Sequence, residues 1–129
     1  MTPPLDIADV QDLIGKPYRP GARGPHEFDC WGLCAEVYRR RGIALPDYEA
    51  RGLSHAQTLA LVQGHATNHA EWIDKPEPWC FVFDATHGHL GLYWGGSVLH
   101  CARMVGVIWQ RLAQFLVIYP HARFARWIE

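Results

Sequence analysis

A thiol becomes a nucleophile when it ionises, and the stretch Phe28-Asp29-Cys30-Trp31-Gly32-Leu33-Cys34 favours that at Cys30. Asp29 is a good helix N-cap. Behind it Leu33, Cys34, Val37, Tyr38 and Arg41 recur at helical spacing, and Gly42 is a natural stop. Cys30 is therefore expected in the first turn, where the backbone N–H groups and the positive end of the helix dipole stabilise a thiolate. The chemistry this allows is attack on a carbonyl to form a covalent acyl-enzyme. The competing reading, a small buried hydrophobe that happens to begin a helix, is the commoner fate of a cysteine.

A nucleophilic cysteine needs a base, which the fold and not sequence adjacency brings near it. The chain has 8 histidines. His26 lies in the loop before Cys30, and His55, His65 and His69 lie in a polar middle, so solvent-exposed positions suit all four. His121 follows Pro120 beyond the last strong β pattern, whereas His87, His89 and His100 sit on or beside the expected sheet. Zinc is the rival chemistry, because Cys30, Cys34, Cys101, His87, His89 and His100 all carry possible ligands. No C-x2-C pair exists, however, and a C-x3-C pair inside a helix is an uncommon structural zinc arrangement. No metal or other cofactor is expected. Serine chemistry has no G-x-S-x-G to support it, and Gly21-Ala22-Arg23-Gly24 lacks the lysine and the strand-to-helix context of a phosphate loop.

Several elements must position these groups. Residues 6–14 read as a short amphipathic helix with Ile7, Val10, Leu13 and Ile14 on one face, ended by Gly15 and Pro17. A loop of turn formers, 17–25, runs into the Cys30 helix. Residues 43–48 read as an extended connection, and Ser54-His55-Ala56-Gln57 as a capping box opening a helix that stops near Gly64. Residues 65–78 are polar with two prolines and suggest a loop with a helical turn. From Trp79 the pattern changes to short aromatic and β-branched runs, 79–83, 89–94, 97–101, 106–110 and 115–119, with Gly95-Gly96 as a hairpin signal. Helices followed by an antiparallel sheet define an α+β fold.

Composition narrows the function classes. At 129 residues with 49% hydrophobic content, one domain over 1–129 with a packed core is expected. The 12 basic and 13 acidic residues give a net charge of −1, which offers no electrostatic case for nucleic acid. Arg39-Arg40-Arg41 falls at a helix C-terminus, where cations offset the dipole. No apolar run approaches the roughly 18 residues of a membrane span, so no membrane partner is expected. The N-terminus has neither the basic nor the apolar region of a secretory signal, which predicts synthesis in the cytoplasm and four reduced cysteines.

Tyr18-Arg19-Pro20-Gly21, a short spacer and then Phe28-Asp29-Cys30-Trp31-Gly32-Leu33 resembles the nucleophile motif of the NlpC-type cell-wall peptidases. These are papain-like cysteine peptidases that cut peptidoglycan stem peptides. His89-Leu90-Gly91-Leu92-Tyr93 resembles their second motif, and His100 in Val98-Leu99-His100-Cys101 matches their third polar residue. The resemblance runs from about Leu13 to about Tyr119. It implies a papain-like α+β core with the Cys30 helix packed on a C-terminal antiparallel sheet. Cys30 would be the nucleophile, His89 the general base and acid, and His100 the group that orients it. Tyr18, with Asp29 and Trp31 flanking the thiol, would lie near the oxyanion and substrate. Two positions depart from the pattern. Trp31 stands where the family usually has serine, which is similar to the tail-assembly branch of tailed phages, and Pro78-Trp79-Cys80-Phe81 replaces a Gly-Asp turn.

The resemblance implies a peptidoglycan endopeptidase, with the γ-D-glutamyl–diaminopimelate bond as its target and phage tail proteins as partners. The protein would reach the wall within a virion tail or at lysis. A catalytically inactive structural tail-assembly protein is the alternative from another class, and an amidase or acyltransferase would use the same scaffold. Hairpin geometry adds a residue-level expectation. A two-residue turn at Gly95-Gly96 pairs Trp94 with Ser97 and Gly91 with His100, making His89 and His100 diagonal neighbours on one face. His87 would then line the cleft mouth.

Overall fold

Residues 5–46 and 70–128 are described by the computed structural model. The helix expected near 54–64, the end of the connection at Asp47 and Tyr48, and His55, His65 and His69 lie outside the described residues. The N-terminal amphipathic segment forms a 3-10 helix, Ile7–Leu13. Asp6 and Asp9 close a capping box at its start, and Val10 and Leu13 are buried. Helix α1 spans Cys30–Arg40 and begins where the N-cap places it. Asp29 has extended backbone, and its Oδ1 accepts the Gly32 N–H at 2.6 Å. Arg39 and Arg40 occupy the last turn and offset the dipole. Arg40 also binds Asp12 at 2.7 Å, tying the C-terminal half of α1 to the 3-10 helix.

Six strands form one antiparallel sheet: β1 (Ala70–Ile73), β2 (Phe81–Asp84), β3 (His89–Trp94), β4 (Ser97–Ala102), β5 (Gly106–Arg111) and β6 (Arg123–Trp127). Their order across the sheet is β1-β6-β2-β3-β4-β5. Gly95 and Gly96 take φ of +58° and +86°, the left-handed pair that a tight two-residue hairpin needs. The register is the expected one, with Trp94 opposite Ser97 and Gly91 opposite His100. Alternation along the strands then builds two layers. Leu90, Leu92, Leu99 and Cys101 join Leu33, Cys34 and Val37 of α1 on one face. Val82 and Val98 pack on the other face with Phe115.

Three readings are corrected. Residues 115–119 are not a strand but lie mainly in a second helix, α2, spanning Leu112–Ile118. Val117 and Ile118, the β-branched residues that suggested a strand, are 81% and 52% exposed, while Leu112, Phe115, Leu116 and Tyr119 face one cluster on the sheet. Tertiary burial of a helical face overrides local strand propensity there. The polar segment 65–78 contains strand β1, whose partner β6 lies beyond residue 120 and was also missed. The run read as 79–83 enters the sheet only at Phe81, because Trp79 turns the chain with a φ of +62°. Where the resemblance expects a Gly-Asp turn, Trp79 itself adopts the left-handed conformation. Its buried indole donates to the Leu5 carbonyl at 2.7 Å, and its own carbonyl accepts the Tyr38 hydroxyl at 2.6 Å, offsetting that strain.

One glycine fixes how α1 meets the preceding loop. A Cβ on Gly32 would lie 2.2 Å from the Ala22 carbonyl oxygen. Alanine is ordinarily the better helix residue by about 1 kcal/mol, but backbone cannot move aside as a side chain can. Gly32→Ala is therefore expected to destabilise by roughly 1–3 kcal/mol. Thermal melting should read that as a fall of about 5–10 °C.

Candidate active site

The loop before α1 holds Tyr18 beside the start of the helix through a short backbone ladder. Phe28 N–H donates to the Pro17 carbonyl and Arg19 N–H to the Phe28 carbonyl, both at 3.0 Å, forming a parallel bridge between Tyr18 and Phe28. The Cys101 thiol of β4 donates to the same Phe28 carbonyl at 3.2 Å, anchoring the loop to the sheet. Asp29 is buried and binds three donors: Gly32 N–H, the Arg23 guanidinium at 2.9 Å and Gly21 N–H at 3.1 Å. Its charge is thus matched within the loop, and its work is to cap α1. Trp31 turns inward, donating its indole N–H to the Pro46 carbonyl at 2.8 Å and stacking near Phe81. Of the three residues expected around the thiol, Tyr18 lines the cleft, while Asp29 and Trp31 build the scaffold beneath it.

Cys30, His89 and Tyr18 line one cleft of about 250 Å³ at the end of the sheet where β3 begins and β4 ends. From His89 a hydrogen-bonded chain runs across three strands. His89 Nε2 lies 2.8 Å from His100 Nδ1, and His100 Nε2 lies 2.9 Å from Gln110 Oε1. Gln110 stands opposite Val98, one diagonal step from His100. An amide oxygen only accepts, so His100 carries its proton on Nε2 and accepts at Nδ1. His89 therefore donates from Nε2, which makes its Nδ1 the proton-accepting nitrogen. Burial lowers the His100 pKa below its ordinary 6.5, partly opposed by the Gln110 hydrogen bond. Burial thus disfavours a positive charge on the His100 ring.

Helix α2 supplies the wall of this relay. Tyr119 stacks on the His89 ring at 4.8 Å between centroids, and Phe115 meets His100 edge-on at 4.9 Å. These contacts and Gln110 were missed by the sequence reading. The spacing of Leu112, Phe115, Leu116 and Tyr119, at i, i+3, i+4 and i+7, is the signal that could have found the helix. His87 also lines the cleft, but its partner is different. Its Nδ1 lies 2.6 Å from Oδ2 of the fully buried Asp84, which also accepts the His87 N–H at 3.0 Å. His89, and not His87, is the ring joined to His100.

The remaining thiols are poor nucleophiles for a shared reason. Burial pushes Cys80 up to about 11 and Cys101 up to about 12, and raises Cys34 well above its ordinary range. A negative charge on Cys30 raises Cys34 further. Limiting iodoacetamide at about pH 6.5 should therefore label Cys30 first. Peptide mapping that finds Cys34, Cys80 or Cys101 labelled faster in the folded protein would contradict this order.

His100 also links stability to pH. Its folded pKa lies below the ordinary 6.5, so the unfolded chain takes up a proton that the folded chain refuses. The stabilisation is fully present above that value and is lost as pH falls towards the folded pKa, by up to about 1.4 kcal/mol per pH unit. The gap in melting temperature between the native protein and His100→Gln should be wide at about pH 7.5 and narrow at about pH 5.

A helix packed against an antiparallel sheet is the papain-like α+β fold, and solved domains share that fold. The model of the NlpC/P60 family matches residues 15–115, and the chain belongs to that family. Over 103 residues it is 34% identical to a Listeria welshimeri protein named "Probable endopeptidase p60", covering 78% of this chain and 18% of that protein. The chain thus spans about a fifth of the length of that relative. Its fold is similar to the NlpC/p60 domain of peptidoglycan hydrolase SagA, with a TM-score of 0.62, 21% identity and 93% of each chain covered. NlpC2 from Trichomonas vaginalis is similar with a TM-score of 0.64 and 25% identity, over 91% of this chain and 43% of that one.

Proposed function

We propose that this protein is a cysteine peptidase that hydrolyses peptidoglycan stem peptides. The observation that carries the reading is the Gln110–His100–His89 relay ending in the cleft that Cys30 lines. The thiolate of Cys30 attacks a stem-peptide carbonyl, and Tyr18 lies beside the developing oxyanion. His89 holds the thiol proton at Nδ1 and passes it to the leaving amine. Water, deprotonated by the same nitrogen, then hydrolyses the thioester and restores the thiol. His100 keeps His89 in the tautomer that both steps need. The relative named as an endopeptidase and the fold shared with a peptidoglycan hydrolase support this assignment.

The finer reading places the cut at the γ-D-glutamyl–diaminopimelate bond, in one NlpC-type domain over 1–129. Trp31, at the position where the family usually has serine, supports a tail-associated or prophage-encoded member. Incorporation into a tail, or release at lysis, would bring a protein made in the cytoplasm to the wall. Incubation with a synthetic L-Ala-γ-D-Glu-diaminopimelate-D-Ala tetrapeptide tests the bond. The expected products are L-Ala-D-Glu and diaminopimelyl-D-Ala; a cut elsewhere in the stem refutes the bond assignment. A folded protein that leaves the tetrapeptide whole but co-purifies with tail proteins favours the structural alternative.

A further inference from the structure

Arg103 follows β4 directly and reaches into the same cleft, beside the Tyr18 hydroxyl. Its situation differs from that of most other described arginines, and, unlike Arg111, it lines the cleft. Arg19, Arg23, Arg39, Arg40 and Arg126 are held in ion pairs, and Arg41 and Arg123 lie over the rings of Tyr38 and Trp72. Among the described residues no carboxylate pairs with Arg103, and no Asp or Glu lines the cleft. A guanidinium presents a planar fork of donors matched to a carboxylate. A cleft with a guanidinium on its wall and, among the described residues, no carboxylate of its own is complementary to a carboxylate ligand.

We propose that Arg103 is a carboxylate-binding subsite that selects substrates with an un-amidated acidic residue at the scissile bond. The proposal rests on the peptidase reading for the identity of that residue. In a γ-linked glutamyl unit the side-chain carbonyl is the one attacked, so the α-carboxylate remains as a separate anion a few bonds away. Arg103 holds that anion while Cys30 meets the carbonyl, and a substrate whose α-carboxylate has been converted to a carboxamide loses the charge-assisted contact. Specificity here arises from a side chain at a hairpin tip, outside the Cys30–His89–His100 set. Its exposed position means that its replacement leaves the core untouched.

The test compares two synthetic tetrapeptides, one with γ-D-glutamate and one with its α-carboxamide, on the native protein and on Arg103→Gln and Arg103→Lys. The native protein should prefer the free acid by roughly 10- to 100-fold in kcat/KM. Arg103→Gln should collapse that preference to about 3-fold or less, and Arg103→Lys should retain part of it. Equal slowing of both peptides in Arg103→Gln would assign the guanidinium to the oxyanion and overturn the proposal. A second readout needs no turnover: the ratio of Cys30 alkylation rates with iodoacetate, an anion, and iodoacetamide, its neutral counterpart. If neither peptide is cut, this ratio decides. A fall of about 5-fold or more in Arg103→Gln supports the carboxylate subsite while the peptidase reading fails. An unchanged ratio overturns the subsite as well.

Discussion

Replacing Cys30 with alanine is expected to remove stem-peptide hydrolysis altogether, a fall in kcat of about six orders of magnitude. The loss is that large because nucleophile and base act as one unit, and no other thiol can take over. Cys34 is fully buried one turn further along α1, and Cys80 is held up at about 11. Cys101 lines the cleft, but burial holds it up at about 12 and its thiol donates to the Phe28 carbonyl. Cys30→Ala should fold normally, since only one sulfur is lost from a residue already 2% exposed. Steady-state hydrolysis by a variant with an unchanged melting curve gives the measurement. Turnover surviving at a tenth of the native rate would remove Cys30 from the mechanism.

Replacing His89 with alanine is expected to cost almost as much, because one nitrogen serves as base in acylation and as acid towards the leaving amine. His100→Ala should cost less, roughly 10²- to 10⁴-fold, the range for losing a group that orients a catalytic imidazole. His87→Ala should leave most of the activity. Its ring is bound to Asp84 and lies outside the chain of contacts from His89 to Gln110. The three variants assayed side by side separate the two histidines that sit two residues apart. A His87→Ala variant as inactive as His89→Ala would reverse their roles.

The α1 start, the β3–β4 register and the His89–His100 pairing were readable in the sequence because each depends on a few adjacent residues. An N-cap is one side chain, and a Gly-Gly turn fixes every cross-strand partner behind it. The failures share the opposite property. Strands β1 and β6 lie about fifty residues apart and, among the described residues, pair only with each other and β2, so neither has local context. In β6, Arg123 and Arg126 fall on opposite faces, which hides any period-2 pattern. Helix α2 was obscured by Val117 and Ile118, whose preference for strands is overruled by burial of the opposite face. Gln110 was invisible for another reason. Nothing marks a strand glutamine as special until His100 is placed one diagonal step away.

Mass spectrometry of purified muropeptides incubated with the protein tests the central claim most directly. The account predicts that stem peptides are shortened by a cut within the peptide, leaving the glycan intact, and that prior alkylation of Cys30 blocks the change. Muropeptides whose masses stay unaltered under a folded protein, its Cys30 thiol intact and reactive, would contradict it.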